Sequence, residues 1–147
     1  MARRSIPLSE LAMPRVFPCN NPVIMGILNV TPDSFSDGGR HFALQDAVNH
    51  AKRMIEDGAD IIDIGGESTR PFSEPINEDE ELSRVIPVIE KVRDISDIPI
   101  SIDTYKSSIA HEAIRAGADI INDISGLTYD EKMAQVIAEH DAYTVIM

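Results

Sequence analysis

Five short apolar runs alternate with helix-period segments along this sequence, and that alternation restricts the fold more than anything else in it. The runs are Val23–Leu28, Asp60–Gly65, Ile98–Asp103, Asp119–Ile124 and Ala142–Met147. Nearly continuous apolar runs of this length suit strands covered on both faces. Between the first two, Leu44, Ala47, Val48, Ala51, Met54 and Ile55 recur at helical spacing, and Gly58 is a natural stop. Asn77 with Glu80 three residues on reads as an N-cap and its reciprocal partner. The helix it opens puts Leu82, Val85, Ile86, Ile89 and Val92 on one face, with a kink expected at Pro87. A third helix is predicted over about Lys106 to Ala116, stopped by Gly117. A fourth starts at the capping-box pair Thr128 and Glu131 and runs to about His140.

Strict strand–helix alternation implies parallel strands joined by right-handed crossovers. The segment Gly58-Ala59-Asp60-Ile61-Ile62-Asp63 returns as Gly117-Ala118-Asp119-Ile120-Ile121-Asn122, as if each unit solved one packing problem. An open doubly wound sheet and part of a (β/α)8 barrel both fit. No Gly-x-Gly-x-x-Gly follows the first strand, and the first two loops at the strands' C-terminal ends are long. Both facts favour the barrel. Such a barrel typically needs about 250 residues, whereas this chain has 147 and stops in a strand with no helix to cover it. The expectation is the first half of an α/β (β/α)8 TIM barrel: four βα units plus a fifth strand over residues 23–147, truncated after strand 5. Residues 1–22, with Pro7, Pro14, Pro18 and Pro22, read as an N-terminal arm.

Charge narrows the partners. Twenty-five acids against 13 bases give a net −12, which argues against nucleic acid or an anionic membrane surface as partner. Cys19 is the only cysteine, so neither an intrachain disulfide nor a cysteine metal cage can form. Arg3-Arg4 is followed by no apolar segment, so a cytoplasmic protein is the default. His41, His50, His111 and His140 lack metal-ligand spacing and read as isolated surface or packing residues. The acidic run Glu78–Glu81 reads as a solvated helix start favoured by the dipole.

Chemistry concentrates at the strand ends. The stretch Asn29–Gly39 is about twice the usual strand-to-helix connection and holds carboxylates, hydroxyls, an aromatic ring and a glycine pair. Polar residues stand at or near four successive strand ends, Asn29, Asp63, Asp103 and Asn122, in apparent register. Each alone could be a turn residue; together they point at one cavity. Asp63 could touch a ligand or serve as a buried polar group inside the barrel.

Met25-Gly26-Ile27-Leu28-Asn29-Val30-Thr31-Pro32-Asp33-Ser34-Phe35-Ser36-Asp37-Gly38-Gly39 and Ile62-Asp63-Ile64-Gly65-Gly66-Glu67-Ser68-Thr69-Arg70-Pro71 closely resemble dihydropteroate synthase, as do Ser101-Ile102-Asp103-Thr104 and Ile120-Ile121-Asn122-Asp123-Ile124. The resemblance implies condensation of 4-aminobenzoate with a dihydropterin carrying a CH2-diphosphate. It makes Asn29 the ligand of a Mg2+ cofactor, and turns Ser68, Thr69 and Arg70 toward the diphosphate and the second substrate. Asp103 and Asn122 read the pterin edge, with Ile124 beside them. Phe35 and Pro71 wall the 4-aminobenzoate pocket. Catalytic roles fall to Asp103, which would stabilise a cationic methylene, and to Asp37 and Arg70, which hold the two loops closed. The glycine pairs 38–39 and 65–66 are expected to act as hinges. A homodimer is implied for the full-length protein.

Two other readings stand beside this one: a methyltetrahydrofolate-type pterin-binding methyltransferase domain, and a non-enzymatic half-barrel. The former has no use for a diphosphate loop, so Asn29–Gly39 speaks against it. The family's second half supplies further pterin and diphosphate groups that have no counterpart here, so this chain alone is expected to be inactive. Its open strand edges are expected to make it self-associate.

Overall fold

The computed structural model describes residues 22–31, 39–68 and 75–147, with backbone alone over 39–42. The expected N-terminal arm lies outside them. The elements alternate as the apolar runs predict: β1 (Met25–Asn29), α1 (Gly39–Glu56), β2 (Ile61–Gly65), α2 (Glu78–Ile95), β3 (Ile100–Asp103), α3 (Ser107–Ala116), β4 (Ile120–Asp123), α4 (Met133–His140) and β5 (Tyr143–Ile146). All neighbouring strands are parallel, and their order is simply β1-β2-β3-β4-β5. A doubly wound sheet would reverse that order. Here it never reverses, which is the winding of a barrel wall.

Side-chain alternation divides the sheet into two unlike faces. Leu28, Ile62, Ile64, Ile100, Ile102 and Ile121 are fully buried in one cluster with residues of all four helices, among them Ala51, Val85, Ile89, Ile109, Ala113 and Met133. The opposite face carries a small cluster built on Ile61 and Ile120, with Val23, Met25, Tyr143 and Val145 around them. Ile27 on that face is 63% exposed. All helices thus cover one side, and the other is the concave inner wall.

The repeated Gly-Ala-Asp has a concrete cause. Gly58 (φ +103°) and Gly117 (φ +123°) each end a helix in a backbone conformation that suits glycine. Two residues later, Asp60 Oδ2 accepts from Ile24 N–H (2.8 Å) and Asp119 Oδ2 accepts from Ile100 N–H (2.9 Å). In both cases the aspartate N–H donates in return to the carbonyl of the same residue, at 2.8 Å. Each aspartate therefore fastens its own strand to the start of the previous one. Arg93, near the end of α2, donates to the carbonyls of Gly117 and Ile98 and to Asp119 Oδ2 (2.7 Å), securing the same end of the sheet.

Helix starts differ from expectation in detail. Asn77 Oδ1 does accept from Glu80 N–H (2.8 Å), but Glu80 turns to Arg84 instead of back to the cap. α2 is one element of 18 residues running through Pro87, so the expected kink does not divide it. The Thr128–Glu131 capping box does not form. Thr128 Oγ1 donates to Ser125 O, and α4 begins only at Met133. Asp123 causes this: its carboxylate accepts from Ser125 N–H and Oγ–H and from Leu127 N–H, with Gly126 and Leu127 at positive φ. Chain that the spacing assigns to a helix is spent on that turn. The Asp130 carboxylate accepts from Lys132 N–H, just before α4, and, across at the start of α3, from Ser107 N–H (2.8 Å). Nor are the histidines all isolated. His111 Nδ1 and His140 Nε2 lie 2.9 Å apart where α3 meets α4.

Candidate active site on the inner wall

One line of backbone register crosses the sheet at the strands' C-terminal ends: Asn29 beside Gly65, Gly65 beside Asp103, Asp103 beside Asn122. Three of the residues predicted for the site therefore share one row on the inner face. The member contributed by β2 is Gly65, whose lack of a side chain keeps the row open. A Cβ there would stand 3.4 Å from Asp103 Oδ2 and 3.7 Å from Asn29 Oδ1.

Asp63 is not in that row, contrary to the reading of four strand ends in register. It sits two residues deeper, in the row Ile27–Asp63–Ser101–Ile120. Its Oδ2 nonetheless accepts a hydrogen bond from Asn122 Nδ2 (3.1 Å), reaching over β3. Side chains of alternate strands meeting in a layer is the internal geometry of a (β/α)8 barrel. A carboxylate can only accept here, so it turns the amide nitrogen of Asn122 toward itself and leaves Oδ1 as the amide's outward acceptor. Asn122 Oδ1, Asp63 Oδ1 and Ser101 Oγ are buried with no hydrogen-bond partner among the described residues. Buried polar atoms are normally satisfied, so this floor offers acceptors to a ligand edge rich in N–H donors.

Asp103 is the half-buried carboxylate among them. Burial, followed by the charges of Asp63, Glu81, Glu67 and Asp123, pushes its pKa from 3.8 to about 6. It remains mostly ionised at pH 7, yet poorly compensated by the protein, which is the state of a group that gains from meeting a positive ligand. Asn29 is exposed at the tip of β1, and Ile124, 44% exposed, follows β4. Ser68 lies just beyond β2. Phe35, Asp37, Thr69, Arg70 and Pro71 fall outside the described residues.

The glycine hinges fare differently. Gly38 lies outside the described residues and Gly39 is the first residue of α1. Gly66 is a point of close approach: a Cβ would come within 2.8 Å of Val85 Cγ1 and 3.2 Å of Glu81 Cγ. It lets α2 lie against the end of β2, and Arg84 Nη1 donates to its carbonyl at 2.7 Å.

Sequence reasoning missed a buried ionic cluster beside the row. Lys106, just after β3, has Nζ 2.6 Å from Glu67 Oε2, 2.7 Å from Glu81 Oε2 and 2.8 Å from Ile76 O. Tyr105 donates its hydroxyl to Glu67 Oε1, and Thr104 donates to Glu81 Oε1 (3.0 Å). Burial alone would lower the pKa of Lys106, but the two carboxylates outweigh it and hold the ammonium above the ordinary range. Burial would raise Glu67; bonds from Lys106, Tyr105 and the Ile76 N–H hold it low. Glu81 is 1% exposed, so the last member of the acidic run is not solvated. The available signal was its position one turn before Val85 on the buried face of α2.

A metal site made by the protein alone is not evident: no group of three or more His, Cys, Asp or Glu among the described residues could hold an ion. Asn29 supplies one neutral oxygen. That fits a Mg2+ ion which takes most of its shell from phosphate oxygens and water.

Comparison with known proteins agrees with this geometry. The family described as pterin binding enzyme matches residues 25–147. Among curated proteins, the chain is similar to dihydropteroate synthase of Bacillus subtilis (strain 168), 63% identical over 125 residues, covering 85% of this chain and 44% of that protein. It is 56% identical over 124 residues to the enzyme of the same name from Clostridium beijerinckii, covering 84% and 46%. Among solved structures, Xanthomonas albilineans dihydropteroate synthase with 4-aminobenzoic acid has a TM-score of 0.82 at 46% identity, covering 87% of this chain and 46% of that one. The same protein in complex with 7,8-dihydropteroate gives 0.77 at 43% identity, with the same coverage. The chain thus spans about half the length of the relatives it matches. With nearly all of its described sheet and helices inside the matched region, the chain belongs to the pterin binding enzyme family.

Proposed function

We propose that this chain is the part of a dihydropteroate synthase that reads the pterin and receives the diphosphate of a (dihydropterin-6-yl)methyl diphosphate, for condensation with 4-aminobenzoate. The single observation that carries the proposal is the Asn29–Gly65–Asp103–Asn122 row above buried, unpartnered acceptors at Asp63, Ser101 and Asn122. A pterin edge presents an amino group and ring N–H donors, the complement of such a floor. The relatives' bound 4-aminobenzoic acid and 7,8-dihydropteroate support the same substrate class.

In the reaction, the bond between the pterin methylene and the diphosphate oxygen breaks, and a bond forms from the arylamine nitrogen to that methylene. The amine proton leaves to solvent. Positive charge develops on the methylene as diphosphate departs, and the Asp103 carboxylate stabilises it electrostatically. No strong base is required, since a neutral arylamine is already a nucleophile at pH 7. Asn122, its amide oriented by Asp63, keeps the ring in register. Mg2+, held in part by Asn29, would neutralise the diphosphate and so improve it as a leaving group. Thr69 and Arg70 would face the diphosphate, while Phe35 with Pro71 would wall the arylamine pocket, to which Ser68 also belongs. Asp37 and Arg70 would hold the loops shut against water.

The net charge of −12 supports small-molecule rather than nucleic-acid partners, and no described helix is long and apolar enough to cross a membrane. A cytoplasmic, homodimeric whole protein belongs to the same proposal by family resemblance.

The test is a titration of the 147-residue chain with pteroic acid followed by side-chain amide resonances. The Asn122 amide should shift and the Gln135 amide on α4 should not. A chain that ignores pteroic acid but binds methyltetrahydrofolate would favour the methyltransferase-type alternative. Turnover by this chain alone is expected to be negligible.

A further inference from the structure

Lys106 lies where the loop after β2 begins and ends. Glu67 stands at its incoming stem and Ile76 at its outgoing stem, nine residues apart in sequence, and Lys106 Nζ is bonded to both, at 2.6 and 2.8 Å. Its third hydrogen goes to Glu81 Oε2 (2.7 Å), in the first turn of α2. The ammonium thus uses all three donors on three different parts of the chain. The grip on the outgoing stem is double, because the Glu67 carboxylate accepts from the Ile76 N–H while Lys106 takes the Ile76 carbonyl. Arg84, also from α2, fixes the Gly66 carbonyl directly before Glu67.

From this geometry we infer that Lys106 is a positioning residue that clasps Glu67, just after β2, to Ile76 and Glu81, at the start of α2, and so sets where Ser68 and the first turn of α2 stand beside the Asp103 row. Lys106 follows Asp103 by three residues, so the clasp and the carboxylate ride on one turn at the end of β3. Holding these groups in place before a ligand arrives lowers the conformational entropy lost on binding. The value of this clasp to catalysis rests on the synthase reading above; the clasp itself does not.

Backbone hydrogen exchange of the 147-residue chain tests it without needing turnover. In Lys106→Met the Ile76, Asn77 and Ser68 amides are expected to exchange at least tenfold faster, with amides of β3 and the second half of α2 within twofold of the parent. Lys106→Arg, which keeps a cation with several donors, is expected to retain most of the protection. A packing role would reverse that order, because Met matches the lysine stem and Arg is bulkier. Should Lys106→Met fail to fold with Glu81 left buried and unpaired, Lys106→Met/Glu81→Gln carries the same expectation, with Glu81→Gln alone as its control. Equal loss in the Met and Arg variants, faster exchange across the whole sheet, or no local change would each overturn the clasp. Failure of the pteroic acid titration with the clasp intact would instead overturn the synthase reading alone.

Discussion

Asp63 and Asn122 are carried on strands that do not touch, yet Asn122 Nδ2 donates to Asp63 Oδ2 at 3.1 Å across the top of β3. The bond needs a sheet curled toward its inner face, and it decides which atom of the amide is left to meet a ligand. Replacing Asp63 with Ala removes that orientation and also relieves a buried carboxylate that has no cationic partner among the described residues. The two effects on stability oppose each other, so urea unfolding should change by less than about 1 kcal/mol. Pteroic acid affinity should fall about tenfold, equivalent to about 1.4 kcal/mol. A variant that unfolds while the affinity of its folded fraction is unchanged would contradict the orienting role.

Asp103 predicts a pH effect of definite sign. Its carboxyl is pushed up to about 6 in the folded chain, chiefly by burial and then by Asp63. Between about pH 4 and pH 6 the folded state therefore holds a proton that the unfolded chain has lost, and stability falls as pH rises through that window. The cost is complete above about pH 6. Asp103→Asn should then unfold at higher urea at pH 7 and match the parent near pH 3.5. The shift sets a ceiling of about 3 kcal/mol; solvent access to a half-buried group brings the expected gain to about 1 kcal/mol. The same substitution should abolish synthesis in the whole enzyme.

The two adjacent glycines should separate ligand binding from folding. Gly66→Ala drives a methyl into Val85 and Glu81, and overpacking of this kind costs about 1–3 kcal/mol. Gly65→Ala meets Asp103 at 3.4 Å, so it should cost under about 1 kcal/mol while narrowing the row and weakening pteroic acid binding. Urea unfolding and ligand titration on both variants check the pair. Equal behaviour would be evidence against the open row.

Arg93 gives the opposite pattern. Arg93→Met removes a donor from the carbonyls of Gly117 and Ile98 and leaves the Asp119 carboxylate only the Ile100 N–H. A loss of about 2–3 kcal/mol is expected, since the pair with Asp119 is largely buried. Ligand affinity of the folded protein should be unchanged.

Among the described residues β1 and β5 have one sheet neighbour each, and Ile27, Ile146 and Met147 are 63–72% exposed. Unpaired parallel edges beside exposed apolar residues favour association. Sedimentation of the 147-residue chain should show species heavier than the 16.2 kDa monomer; a well-behaved monomer would refute this.

The sheet was legible in the sequence because its signals are local. Val23–Leu28 and Asp60–Gly65 are apolar without alternation, and Gly58 and Gly117 end helices where only glycine is comfortable. Asn29, Asp103 and Asn122 could be recognised by motif and fall in one row. What could not be read are relations between distant residues. Glu81 carries the same kind of side chain as exposed Glu78 to Glu80, and only its place one turn before Val85 sets it apart; its partner, Lys106, is 25 positions away, beyond β3. The failure at Thr128 has a similar source. The capping spacing was present, but Asp123 captured the backbone first, so a turn won over an extra helical turn. Gly66 read as a hinge because sequence shows the missing side chain and not the helix that fills its space.

The paired fastenings made by Asp60 and Asp119 lie at the opposite end of the sheet from the Asp103 row. β1 to β4 are thus anchored at their beginnings and free to vary at their ends. For protein engineering this sets out a division of territory. Libraries confined to the rim can search for new heterocycle specificity without touching the fastenings. Random mutagenesis of the entire chain would lose many variants at Gly58, Asp60, Arg93, Gly117 and Asp119 before any altered rim could be judged.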